Sequence, residues 1–216
     1  MSPIAELKIP KQNLSGNGRG TFNGSDGCGF RGGKEPQPVD RYPIKLLGLW
    51  LFLATIVMFF ASITSALIVR RAAPDWTPIY FPRILWLNTL LLLASSATLE
   101  LSRRTLKKSW TLHLKWLGFT AILGSFFLTG QVYAWEILAN HGLFLPTNPH
   151  SSFFYLITCL HGIHLLAGIV WLLTSYRIAQ KEYDIEERAK SLNLLAIFWH
   201  FLDLLWLYLF GLLLMI

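Results

Sequence analysis

After residue 41 the chain alternates between long apolar runs and short polar connections. Five runs stand out, at about Ile44–Val69, Ile84–Leu101, Lys115–Ala139, Ser151–Tyr176 and Leu192–Ile216. Each is long enough to cross a hydrocarbon core roughly 30 Å thick. Inside lipid no water is available to satisfy backbone N–H and C=O groups, so runs of this kind must be helices. The pattern therefore predicts an all-α polytopic membrane protein, a bundle of five transmembrane helices formed by residues 42–216. The second run has only 18 residues and is expected to cross with little tilt. No internal repeat is evident.

Residues 1–41 read differently. Half of the 16 glycines fall between Gly16 and Gly33, mixed with Asn, Ser, Arg and Lys. Such a segment buries too little apolar surface to offset its ordering entropy, which predicts a flexible tail. No apolar stretch follows the first Met, so the tail is not expected to be a signal peptide. The glycine-rich pieces GNGRG and GCGFRGG lack the preceding strand and following helix that a phosphate loop requires.

Composition agrees with the pattern: 53% of residues are hydrophobic and 14% charged. Soluble domains carry about 25% charged residues. A soluble enzyme, a nucleic-acid-binding domain and a disulfide-stapled secreted domain are therefore excluded. The formal net charge of +7 is read as topology and attraction to anionic head groups, not to nucleic acid. Sixteen of the 19 Lys and Arg residues lie in the tail, the second-to-third connection or the fourth-to-fifth connection. Only Arg70, Arg71 and Arg83 lie on the opposite side. The positive-inside rule then predicts a cytoplasmic N-terminus and an external C-terminus. Trp76, Tyr80, Trp86 and Trp110 fall near span ends, where interfacial anchors are expected. The two cysteines, Cys28 in the tail and Cys159 in a span, suggest neither a disulfide nor a metal site.

Ionisable groups inside a bilayer are costly and need an account. Glu100 is followed three and four residues later by Arg103 and Arg104, the spacing of an interfacial ion pair on a helix. His161 and His164 share one face of the fourth helix, and His200 and Asp203 share one face of the fifth. At about 1.5 Å per residue, all four come within reach of mid-membrane depth. They are candidates for one buried network between neighbouring helices. Three readings are open: an interhelical hydrogen-bond cluster, a proton relay or ion site, and a haem or metal site. The third lacks the companion carboxylate or cysteine spacing, so no metal site and no catalytic residue are assigned. Glu136 is expected near the outer end of the third helix, close to His141 and His150, and joins the polar set.

Several of these residues belong to segments that resemble a known family. The block FWHFLDLLWLYLF, Phe198–Phe210, and the block HGIHLLAG, His161–Gly168, are similar to the final two helices of subunit III of the haem–copper oxidases. GLWLFLATIVMFF (Gly48–Phe60), NTLLLLASSATLE (Asn88–Glu100) and GQVYAWEIL (Gly130–Leu138) support this in the family's order. The resemblance covers about residues 44–216 and looks like the short, five-helix bacterial form, which lacks the two leading helices of larger relatives. It implies a non-catalytic subunit of a terminal cytochrome c oxidase, or of a quinol oxidase, in the bacterial inner membrane. An independent proton-coupled transporter is the remaining alternative, without the broken midplane helices such folds use.

The resemblance further implies a subunit that packs on oxidase subunit I, in a complex that also contains subunit II. It would hold phospholipids and support sustained turnover and proton uptake. No cofactor is expected in this chain; haem and copper would belong to the partner subunits. The tail could meet other respiratory complexes. His161, His164, His200, Asp203, Trp199, Trp206 and Glu136 match family positions, and Arg177 and Lys181 are candidate lipid-phosphate contacts. One position departs: Ile56 stands where the family usually has a membrane-buried Glu. No role of that carboxylate carries over.

Overall fold

The computed structural model describes residues 42–72, 74, 83–143, 149–179 and 185–215. Five α-helices make up nearly all of it: α1 Tyr42–Arg70, α2 Ile84–Thr105, α3 Trp110–Asn140, α4 Pro149–Ala179 and α5 Ile185–Met215. All five are long and apolar enough to cross a membrane. No strand occurs among the described residues. The tail, Trp76, Tyr80 and Lys181 lie outside the described residues.

Apolar runs understate these helices. α2 has 22 residues, not 18, because it continues through ELSRRT. α3 begins at Trp110 rather than near Lys115, and α5 at Ile185 rather than near Leu192. Helical hydrogen bonding does not stop where hydrocarbon stops, and charged side chains at the ends reach water along their stems. At α5 the added turn carries Glu186 and Glu187, which suit the positive end of the helix dipole.

α2, α3, α4 and α5 form a ring of neighbours, each packed on the next, and α1 lies against α4 and α5. Buried positions follow alternating three- and four-residue steps. On α3 they run His113, Leu117, Thr120, Gly124, Phe127, Gln131, Ala134, Leu138. On α5 the main seam is Leu192, Leu195, Trp199, Leu202, Trp206, Leu209, Leu213. This is the spacing of knobs-into-holes packing between helices crossing at about 20°.

Lipid tails are as apolar as leucine, so burial alone does not hold these helices together. Close fit and interhelical hydrogen bonds do. α2 and α3 form the most extensive pair. The Thr98 and Thr120 hydroxyls meet at 2.9 Å, and Ser102 Oγ lies 2.8 Å from His113 Nδ1. Near the other end a Cβ at Gly130 would fall on the Asn88 side-chain amide, so only glycine allows that approach.

α5 carries two tryptophans one heptad apart, both fully buried. Trp199 Nε1 donates to Ser95 Oγ and Trp206 Nε1 donates to Thr89 Oγ1, each at 3.1 Å. The Trp199 indole lies over two glycines, since a Cβ at Gly124 would come within 3.1 Å and one at Gly168 within 3.4 Å of its ring. Trp206 packs on Phe127 at 4.9 Å, edge to face, and on His161 at 5.1 Å between ring centres. Two buried indoles thus set the height of α5 against α2, α3 and α4.

Candidate functional site

The expected single network of His161, His164, His200, Asp203 and Glu136 does not form. These residues divide among three places, because side chains sharing a depth can still point to different neighbours.

His161 is fully buried in the ring interior, against Phe127 of α3 and Trp206 of α5. Neither ring nitrogen has a hydrogen-bond partner among the described residues. His164 is half-buried. Its Nδ1 lies 2.7 Å from the Leu160 carbonyl of its own helix, and its ring is 5.7 Å from that of Phe60 on α1. Glu136 is exposed on the outside of α3, so it is not a member of a buried set. The α3 seam passes through Gln131, Ala134 and Leu138 and leaves position 136 facing outward.

His200 and Asp203 sit together in the seam between α5 and α2. His200 Nδ1 lies 2.5 Å from Ser96 Oγ of α2 and 3.9 Å from Asp203 Oδ2. The His200 side chain is 38% exposed and that of Asp203 6%. Neither Asp203 oxygen has a hydrogen bond of full geometry, although Ser96 faces its carboxyl too. One turn beyond Ser96, Glu100 is clamped by Arg103 at 2.8 Å and Arg104 at 3.1 Å, the ion pair that the spacing predicted. Arg103 also donates to Asn193 Oδ1 of α5 at 2.8 Å.

The histidines therefore do not converge as ligands. Among the described residues no group of three His, Cys, Asp or Glu side chains could hold a metal ion. His161 faces aromatic rings, while His164 and His200 each engage an oxygen at Nδ1.

Among the buried polar side chains that sequence reasoning missed, three stand out. His113 is fully buried at the start of α3, bonded to Ser102. Placing the third span at Lys115 put it outside; the His113–Leu117–Thr120 spacing could have found it. Asn88 on α2 and Gln131 on α3 are almost fully buried, and no atom of either amide has a partner among the described residues. A buried amide without a partner costs about 1–3 kcal/mol. Gln131→Leu is accordingly expected to leave the thermal stability of the bundle unchanged, or to raise it by about 1 kcal/mol. A loss of that size in a thermal melt would show that the amide is satisfied.

One end of the bundle gathers the basic residues. Arg188 of α5 donates to the Ser175 carbonyl of α4 at 3.0 Å and lies 5.3 Å over the Trp110 ring of α3. Lys190 lies 5.9 Å over the Tyr42 ring of α1. Arg177, the expected lipid contact, is exposed near that end of α4. Ile56 is buried at 3% exposure in the α1 seam, so the position that departs from the family pattern is an apolar packing position here.

Residues 37–215 match the family model described as cytochrome c oxidase subunit III. Cytochrome c oxidase subunit 3 of Thermostichus vulcanus is 32% identical over 178 residues, covering 78% of this chain and 86% of the relative. The same subunit of Bacillus sp. (strain PS3) is 28% identical, over 77% of this chain and 83% of the relative. Subunit 3 of the cytochrome bo(3) ubiquinol oxidase of Buchnera aphidicola is 33% identical, over 77% and 89%. Five spans and bacterial relatives are those of a multi-pass protein of the bacterial inner membrane. Matched across all five helices, the chain belongs to the subunit III family of the haem–copper oxidases, proteins that work within a multi-subunit complex.

Proposed function

We propose that this chain is the non-catalytic subunit III of a proton-pumping terminal cytochrome c oxidase in aerobic respiration. In this reading it packs on subunit I in a complex with subunit II, and those partners hold the haem and copper. It retains phospholipids and supports sustained turnover and proton uptake by subunit I. The observation that carries the proposal is the family match, which runs through every span rather than one motif. The basic end of the bundle is then cytoplasmic, and Arg177 there is a contact for lipid phosphate.

The structure supports a role in assembly. Among the described residues α1 packs on α4 and α5 alone. Its other face is bare and apolar, with Trp50 57% and Met58 73% exposed. Such a face suits lipid or another membrane subunit, not water. A proton role through the family's usual buried Glu is not part of the proposal, because Ile56 fills that place. The Buchnera relative supports a second reading, subunit III of a quinol oxidase.

The test is capture of the tagged chain from native membranes in mild detergent, with partners identified by mass spectrometry. Oxidase subunits I and II are expected in near-equal amounts with the chain, and phospholipid is expected to remain bound. The identity of the subunit II recovered decides between the two donors. Recovery of the chain without either subunit would overturn the proposal.

A further inference from the structure

The seam between α2 and α5 carries a ladder of polar groups that ends in a buried carboxyl. From the basic end inward, α2 supplies Arg103, Glu100 and Ser96, on one stripe. α5 supplies Asn193, His200 and Asp203, also on one stripe. The rungs are joined across the seam. Arg103 bonds Asn193, and Ser96 bonds His200 and faces Asp203. Arg103 also holds Glu100 at 2.8 Å.

A purely structural carboxylate at this depth should have its oxygens filled by donors, because an ionised group in a low-dielectric interior is costly without them. Asp203 lacks such donors at full hydrogen-bond geometry. It has instead an imidazole and a hydroxyl, the two side chains best suited to hand on a proton. We propose that this seam is a one-ended proton-exchange path, loading and unloading the Asp203 carboxyl from the Arg103 end of the bundle through His200 and Ser96.

The step balances within the three side chains. An imidazolium at His200 passes its Nδ1 proton to Ser96 Oγ while the Ser96 hydroxyl proton moves to Asp203. A charged pair, imidazolium and carboxylate, becomes a neutral imidazole and a carboxylic acid. The reverse step returns the proton. His200 renews its proton through the 38% of its side chain that the chain leaves uncovered.

Among the described residues no ionisable side chain continues the path. Beyond Asp203, α5 carries no Asp, Glu, His, Lys or Arg through Met215, and α2 carries none from Ile84 to Ala94. α1 has none between Lys45 and Arg70. On α4, His161 and His164 face Phe127, Trp206 and Phe60. The seam is a proton store opening on one face, not a channel. This goes beyond the assembly role proposed above and does not depend on which donor the oxidase uses.

The test is infrared difference spectroscopy on the purified intact oxidase that contains this chain, at pH values from about 5 to about 9. A protonated-carboxyl band that grows on acidification, shifts in deuterium oxide and is missing in Asp203→Asn is expected. His200→Gln keeps the ring's hydrogen bonding but not its proton transfer, and Ser96→Ala removes a single hydroxyl. Each is expected to slow hydrogen–deuterium exchange of that band by at least about tenfold. A carboxyl that stays ionised throughout would make Asp203 a fixed partner of His200 and overturn the proposal. Exchange equally fast in Ser96→Ala, the smaller change should His200→Gln fail to assemble, would overturn it as well. Either failure leaves subunit capture, and so the assembly reading, untouched.

Discussion

Trp206→Ala is expected to destabilise the bundle by about 3 kcal/mol. Trp206 is 1% exposed and touches three kinds of partner. It packs on Phe127 and His161, stacks parallel to Phe210 with ring centres 6.1 Å apart, and donates to Thr89. Truncation removes the dispersion contacts of a large ring and leaves a cavity walled by α2, α3, α4 and α5. It also strands the Thr89 acceptor, although Thr89 keeps its bond to the Leu85 carbonyl at 2.9 Å. The expected value lies at the low end for aromatic truncation, because the unfolded reference is in lipid and no gain of burial from water is lost. The measurement is the thermal or detergent midpoint of the complex against wild type. Trp206→Phe, which keeps most of the volume, should recover about half of the loss. A Trp206→Ala midpoint equal to wild type would show that the ring does not set helix register.

Gly124→Val is expected to cost about 2–3 kcal/mol, by overpacking rather than by a cavity. Even a single Cβ at that position would lie 3.1 and 3.2 Å from two atoms of the Trp199 ring. The ring has nowhere to move. Gly168 of α4 is close on another side, and Nε1 is tied to Ser95. A branched side chain must therefore push α3 from α5 or break the Ser95 bond. Gly118 on the same helix supplies the control, since a Cβ there meets nothing within 4 Å. Gly118→Ala is expected to be neutral or stabilising by up to about 1 kcal/mol, the gain in helix propensity. Similar losses for both variants in the same melt would mean that packing on Trp199 is not the cause.

Much of this was legible in the apolar pattern. Five helices follow from the run lengths, and the Glu100–Arg103–Arg104 clamp from helical spacing. The family follows from ordered blocks such as Phe198–Phe210 and His161–Gly168. Helix ends were not legible, because the first turns of α3 and α5, from Trp110 and Ile185, carry polar and charged residues that do not mark an apolar run. Nor was the partition of the polar residues. Spacing places His161 with His164, and His200 with Asp203, at neighbouring depths, but depth is one coordinate. The rotation of each helix about its axis decides which neighbour a side chain meets.

The sequence by itself determined that this protein spans a membrane five times and belongs with the subunit III chains, because run length and motif order are properties of the chain. The tertiary structure alone decided that His161 is walled in by Phe127 and Trp206, that Glu136 faces outward, and that Ser96 joins His200 and Asp203 across the α2–α5 seam. Those outcomes rest on how the two buried indoles of α5 fit against glycines and hydroxyls of other helices. In lipid, where apolar burial does not choose between arrangements, that fit sets which faces meet.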